Sequence, residues 1–279
     1  MSANRVVLIG DPVGHSVSPA MHRACFRALG LDLDYVAIRV RPAELPEAFA
    51  ELRTTTLGLN VTRPLKERIG ELLDEILPAA EAAGSVNTVS FAGGRAAGHS
   101  TDGRGALAAL ERAGHPIDGT RALVLGTGGA ARAVAASLRD AGAEVTVWGR
   151  DPDAAARLAG ELRVASGPLS DALSGSNLVV NATPVGAWPH GDSSPIPSDL
   201  RLPRGATVFD LVYRPRRTLL LRRAESEGCR TVPGIEMLIE QGLRSFAIWT
   251  GREAPAGVMR TSAYQALLGP AEPDLQEVG

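Results

Sequence analysis

Only one lysine, Lys66, occurs in the 279 residues, although 29 side chains are basic. Two cysteines, Cys25 and Cys229, are too few and too far apart for a disulfide framework or a CxxC zinc site, which suits a reducing compartment. Aromatic residues make up 4% of the chain, and the 29 basic side chains are balanced by 31 acidic ones, a formal charge of −2. Such a balance offers no field to hold a phosphate backbone, so nucleic acid is not an expected partner. No run of 18 apolar residues occurs, and the opening MSANRVVLIGD has too short an apolar stretch for a signal peptide. No membrane association is therefore expected, and the expected compartment is the cytoplasm. The histidines, His15, His22, His99, His115 and His190, are dispersed without a metal-ligand spacing, so no metal site is expected. What is present is 44% hydrophobic residues, an ordinary globular composition, over a length that at roughly 150 residues per domain predicts about two domains.

The first hundred residues alternate short apolar runs at 6–10, 34–40 and 57–61 with amphipathic segments at 19–29, 43–53 and 65–76. This is the pattern of βαβ units in a mainly parallel sheet. A hairpin follows, turning at Ala92-Gly93-Gly94, and then a helix over 102–113. A second α/β series has strands at 122–126, 144–149, 177–182 and 207–212, with helical spacing at 129–141, 152–162 and 216–227. Residues from about Ile235 on read as helices that return to the first domain. The predicted architecture is two α/β domains separated by a cleft, 1–103 with 236–279 and 104–235, the second of Rossmann type. The Pro-, Gly- and Ser-rich stretch 184–205 reads as a surface loop beside a site, and the arginines of 214–223 as a solvated helix face.

The apolar strand before Gly126-Thr127-Gly128-Gly129-Ala130-Ala131 and the Ala-rich helix after it supply the context that G-x-G-x-x-A requires. Gly126 permits the tight turn, Gly128 the approach of a pyrophosphate, and Ala131 close packing of helix on strand. A dinucleotide is therefore expected there. The next strand ends Gly149-Arg150-Asp151. A guanidinium at Arg150 suits a 2′-phosphate, so NADP is favoured over NAD. Asp151 reads either as the N-cap before Pro152 or as a ribose ligand, and the cap is the expected role.

In the first domain, Gly14-His15-Ser16-Val17-Ser18-Pro19 suggests a helix start with Ser18 as N-cap and Pro19 behind it, beside two hydroxyls suited to a carboxylate. Thr62 and Lys66 follow a strand in GLNVTRPLK, and polar clusters recur at 85–88 and 100–103. In a chain otherwise filled with arginine, a retained lysine points to a compact ammonium that gives and takes a proton, unless it is chance survival on a solvated helix.

Across nearly its whole length the chain resembles the shikimate dehydrogenase family. The resemblance is carried by GHSVSPAMH, GLNVTRPLK, GSVNT, STDGRG, GTGGAARA, NATPVG, DLVYRP with Thr218, and PGIEMLIEQG followed by FAIWTG. It implies reversible reduction of 3-dehydroshikimate to shikimate by NADPH, on the route to chorismate and aromatic amino acids. It further implies Ser16 and Ser18 at the substrate carboxylate and Thr62, Asn87, Tyr213 and Gln241 at its hydroxyls and ring. Lys66 and Asp102 would be the catalytic pair. On the cofactor side it implies the loop Gly126 to Ala130, Arg150, Asn181, Thr183, Leu211 and Gly234, with Met237 close to the nicotinamide. Departures from the family pattern are Gly149 and Asp151 around Arg150, Ser100 before Thr101, and Arg23 after His22. Competing readings are a quinate or shikimate dehydrogenase using NAD, an aminoshikimate enzyme, and a dinucleotide-sensing module. The last predicts loss of Lys66 and Asp102, and both are present. The sequence is compatible with a monomer or a homodimer.

Overall fold

The computed structural model describes residues 4–269. The chain divides into two compact units: one runs up to Thr101 and resumes at Gln241, and the other is Asp102–Glu240.

In the first unit, β1 (Arg5–Gly10), β2 (Asp34–Arg39) and β3 (Gly58–Val61) are parallel neighbours with β1 in the middle. The hairpin β5 (Thr88–Ala92) and β6 (Arg95–His99) adds antiparallel to β3, and β4 (Glu75–Ile76) closes the far edge, for an order β2-β1-β3-β5-β6-β4. One face is covered by α2 (Leu45–Thr55), whose Leu45, Phe49 and Leu52 pack on Val7, Ile9, Leu59 and Val89. Helix α1 (Ser18–Ala28) packs with α10 (Ala256–Leu268), and Phe246 and Trp249 of α9 (Gly234–Thr250) join Phe26 and Tyr35 in an aromatic cluster.

The amphipathic stretch 65–76 is not the helix that its spacing predicts. It forms tight turns and a single 3-10 turn, Ile69–Leu72, before β4. Two constraints overrule the apolar period. The N–H groups of Asp74 and Leu77 donate to Ala96 and Gly98 of β6 at 3.0 and 2.9 Å, and Pro78 disfavours helical backbone at Leu77, which is extended at ψ 153°. Pro78 instead opens the short helix α3 (Pro78–Ala83), which the periodicity did not reveal.

In the second unit all six strands are parallel in the order β12-β11-β10-β7-β8-β9: β7 (Arg121–Leu125), β8 (Glu144–Trp148), β9 (Ala165–Ser166), β10 (Leu178–Asn181), β11 (Thr207–Asp210) and β12 (Arg230–Pro233). Sheets buried on both faces call for near-continuous apolar runs, and the central strands β7, β10 and β11 supply them, fully buried but for Arg121 at the start of β7. Ala122, Val124, Leu178 and Val180 face α4 (Asp102–Arg112), α5 (Gly129–Asp140) and α6 (Pro152–Leu162). Leu123, Leu125, Val179 and Val208 face α7 (Leu169–Gly175) and α8 (Leu219–Ser226). Helix α8 begins three residues later than its spacing predicts, because Thr218 caps it by accepting the Leu221 N–H at 3.2 Å. Arg214, Arg216 and Arg217 therefore precede the helix, and Arg223, far from being solvated, donates to the carbonyls of Ile196, Pro197 and Leu200. No helix among the described residues is long and apolar enough to cross a membrane.

His22 lies fully buried in the first unit, its ring stacked on Tyr35 with centroids 4.6 Å apart, and neither ring nitrogen meets a hydrogen-bond partner. Burial lowers its pKa to about 3. The unfolded chain takes up this proton near pH 6.5 and the folded one does not until about pH 3. The stability His22 confers is therefore complete above pH 6.5 and is lost as pH falls toward 3. At most about 1.4 kcal/mol is lost per pH unit. His22→Leu is expected to shrink the difference in unfolding free energy between pH 7 and pH 5 by up to about 2 kcal/mol, measured by urea titration. An unaltered difference would mean that His22 is protonated in the folded state.

Candidate active site

The loops that follow β1 and β3 are laced together. Asp11 N–H donates to Arg63 O at 3.0 Å, and Thr62 N–H donates to Ile9 O at 2.9 Å. This brings the segments bearing Ser16, Ser18, Thr62 and Lys66 to the C-terminal ends of parallel strands, where open α/β sheets take ligands. The capping expectation for Ser18 is corrected. Val17 is the N-cap of α1, Ser18 is already helical, and the Ser16 hydroxyl accepts the Ser18 N–H at 3.2 Å. The turn closed by Ser16 N–H to Val13 O aims Ser16 at the helix start, so the helix begins one residue early and the Ser18 hydroxyl is not spent on capping.

Asn87 is the centre of a buried polar network. Its Oδ1 accepts the Thr101 N–H at 2.8 Å, and its Nδ2 donates to Thr101 Oγ1 at 2.8 Å and to Gln241 Oε1 at 3.3 Å. Asn60 donates to Asn87 O at 3.0 Å and accepts the Tyr35 hydroxyl at 2.7 Å. Thr88 and Ser245 close the ring with hydroxyls 2.8 Å apart. Of this set the sequence singled out Asn87 and Gln241 individually. Asn60, Thr101 and Ser245 are legible only once the strands are paired, although Thr101 sits in a polar cluster noticed along the chain. Lys66 is half-buried, and its carbonyl accepts the N–H of Val86, the neighbour of Asn87, at 2.9 Å. Asp102 follows Thr101 directly, opens α4 in the second unit and is 4% exposed.

In the second unit Gly126 ends β7 at φ +119°, a backbone that L side chains rarely adopt, with its N–H on Trp148 O at 2.7 Å. Gly128 is the N-cap of α5, no side chain caps that helix, and open space lies where a Cβ would stand. The first-turn amides of α5 therefore remain available for an anion, and the buried Ala131 keeps the helix against the sheet. Arg150 is exposed just past β8. Asp151 is the cap, its Oδ1 accepting from Asp153 N at 3.0 Å and Ala154 N at 3.2 Å. These residues fit NADP, since the open loop suits the pyrophosphate and the free-standing guanidinium suits a 2′-phosphate.

Asn181, Thr183 and Leu211 come together at the ends of β10 and β11. Asn181 Oδ1 accepts Thr183 N at 3.0 Å and Thr183 Oγ1 at 2.7 Å, and Leu211 N–H donates to Asn181 O at 2.9 Å. Beneath them is Asp210, which the sequence reading did not single out although it is an acidic residue closing an apolar strand. Burial pushes its carboxyl up to about 6, against the hydrogen bonds from Thr218, Val212 and Asn181 that favour its charge. Tyr213 is half-buried in the loop after β11. Met237, 7% exposed, packs in the hydrophobic core beside α4 and α5. No metal-ligating cluster of three or more side chains forms among the described residues.

A Rossmann unit with an open glycine loop, joined to an α/β unit with polar strand ends, is the build of a nicotinamide-dependent oxidoreductase. Family profiles match at residues 8–89 (shikimate dehydrogenase substrate binding domain), 234–264 (shikimate 5′-dehydrogenase C-terminal domain) and 121–194 (NADP oxidoreductase coenzyme F420-dependent). A Symbiobacterium thermophilum protein named shikimate dehydrogenase (NADP(+)) is 44% identical, covering 94% of each chain. The crystal structure of a Thermus thermophilus shikimate 5-dehydrogenase in complex with NADP(H) and shikimate matches with a TM-score of 0.89 and 42% identity, over 94% of this chain and 99% of that one. A quinate dehydrogenase from Corynebacterium glutamicum in complex with NAD matches at TM-score 0.84 and 30% identity, over 94% and 99%. The chain belongs to the shikimate dehydrogenase family.

Asn87→Leu leaves the buried Thr101 N–H without its acceptor and takes one donor from Gln241 Oε1, and is expected to cost about 1–3 kcal/mol of stability, read from the urea midpoint. Wild-type stability in this variant would show that the network is not what holds these segments.

Proposed function

We propose that this protein catalyses the reversible NADPH-dependent reduction of 3-dehydroshikimate to shikimate in the biosynthesis of chorismate and the aromatic amino acids. The observation that carries this reading is the near end-to-end likeness to a solved enzyme holding both NADP(H) and shikimate.

When bound, NADPH supplies the hydride that reduces the ketone. The Gly126 to Ala130 loop and the head of α5 hold the pyrophosphate, Arg150 holds the 2′-phosphate, and Asn181, Thr183, Leu211, Gly234 and Met237 serve the nicotinamide side. Engagement of Asp151 in capping supports NADP over NAD, because that carboxylate is already committed to two backbone N–H groups. Ser16 and Ser18 bind the substrate carboxylate, and Thr62, Asn87, Tyr213 and Gln241 bind its hydroxyls and ring. Lys66 holds a proton at Nζ, stabilises the negative charge that develops on the ketone oxygen, and delivers the proton to it. In the reverse direction Lys66 takes that proton back, a role that an arginine does not fill. Asp102 orients Lys66 and accepts a hydrogen bond from a substrate hydroxyl. The enzyme works in the cytoplasm on a small-molecule substrate, as a monomer or homodimer, with no nucleic-acid partner.

Initial rates from nicotinamide absorbance, with shikimate or quinate crossed against NADP⁺ or NAD⁺, test the assignment. Shikimate with NADP⁺ is expected to dominate, whereas a dominant quinate–NAD⁺ pair would transfer the chain to the quinate branch of the fold. Lys66→Ala is expected to lower kcat by about 10²-fold or more with a much smaller change in KM for shikimate. A near-normal kcat in that variant would remove Lys66 from the chemistry. Arg150→Ala is expected to raise KM for NADP⁺ about tenfold or more while leaving NAD⁺ kinetics nearly unchanged, the pattern of a lost phosphate contact.

A further inference from the structure

Asp210 has no part in the chemistry above, yet its surroundings are more specific than packing requires. It ends β11 with no solvent exposure, and three donors from separate segments converge on its two oxygens. Asn181 Nδ2 at the end of β10 donates to Oδ1 at 2.8 Å, and Val212 N–H in the following loop donates to the same oxygen at 3.0 Å. The Thr218 hydroxyl, at the head of α8, donates to Oδ2 at 2.6 Å. All three are donors, so the site calls for an acceptor-only group, which an ionised carboxylate is.

Each donor in turn controls a stretch of loop. Asn181 also donates to Val185 O at 3.3 Å, while its Oδ1 takes both donors of Thr183 and Thr183 Oγ1 takes Val185 N–H at 3.2 Å. One side chain thus sets the whole turn from Ala182 to Val185. Val212 and Thr218 bracket the loop that carries Tyr213, and Trp188 N–H joins that loop to the first by donating to Arg214 O at 2.9 Å. The backbone beside Asp210 is pinned as well. A Cβ on Gly234 would stand 2.4 Å from Leu211 O and 2.7 Å from Asp210 O, so only glycine lets β12 and α9 approach this closely.

We propose that Asp210 is a positioning residue for the reaction, its carboxylate fixing the Asn181 turn and the Tyr213 loop in the one arrangement that serves nicotinamide and substrate together. This rests on the functional reading above, which assigns ligand contacts to Asn181, Thr183, Leu211 and Tyr213. Asp210 itself touches neither ligand and acts through those loops.

The test uses the full chain with three substitutions. Asp210→Ala removes all three acceptor contacts and is expected to raise KM for NADP⁺ and lower kcat, each about tenfold or more, the cost of small misplacements. Asp210→Asn keeps an oxygen for Asn181 and Val212 and can turn its amide toward Thr218 Oγ1, so it is expected to recover kcat to within about threefold of wild type. Thr218→Val, which deletes the donor to Oδ2 together with the cap of α8 and leaves Asn181 and Val212 bonded, is expected to fall between them in kcat and KM. It keeps the test decisive if the alanine variant does not fold. In ligand-free protein, amide exchange is expected to accelerate at Val185 and Val212 in the Asp210 variants. If the folded fractions of Asp210→Asn and Thr218→Val have wild-type kcat and KM and the alanine variant loses only stability, Asp210 is a structural residue and the proposal is wrong. A wild type silent with shikimate and NADP⁺ would instead sink the functional reading, and the amide-exchange result would then decide whether Asp210 orders the two loops.

Discussion

The first unit depends on the side-chain amide of Asn87. A primary amide offers two donors and one carbonyl oxygen, and here they are divided among the adjacent Thr88 and the distant Thr101 and Gln241, all buried. In a buried site each of these contacts is costly to leave unmade, so the amide specifies one arrangement of β5, the end of β6 and α9. Two of the segments proposed to serve the substrate are tied to that arrangement. Lys66 hangs by its carbonyl from the residue preceding Asn87, and Asp102 begins where Thr101 is held.

The second unit solves the same problem with a carboxylate in place of an amide. Asp210 gathers only donors, and the hydrogen bonds from Thr218, Val212 and Asn181 oppose, without cancelling, the burial that pushes its carboxyl up. In both units a buried polar group sits where the sheet ends and the loops begin. Strands provide rigid, apolar layers, and at their ends the backbone runs out of ladder partners, so side-chain acceptors and donors take over the ordering of the loops. Ligand-binding residues carried on such loops inherit their precision from the groups beneath them.

Much of this was legible in the chain. The parallel strands of the second unit, the Gly126 turn, the cap at Asp151 and the hairpin at Gly93-Gly94 rest on short-range rules that need no knowledge of distant residues. The stretch 65–76 has apolar residues at helical spacing, while the groups that overrule the helix lie on β6 and at Pro78. Ser18 has the residue type of a cap, but the Ser16 hydroxyl two residues earlier accepts its N–H and the helix already includes it. Strand β9 is two exposed residues and β12 holds one fully buried apolar residue, Val232, so neither presents an apolar run.

Local chemistry along the chain suffices for the two α/β units, the glycine turn at Gly126 with Arg150 beyond the next strand, and the isolated lysine. These follow from periodicity, glycine stereochemistry and residue type, which are properties of neighbouring residues. Which polar residues meet is set by folding: Asn87 is shared between Thr101 and Gln241, and Asp210 binds the Asn181 turn and the start of the Tyr213 loop. Hydrogen bonds between residues 14 to 154 positions apart have no periodic signature, because they are created by sheet pairing and helix packing after the local elements exist.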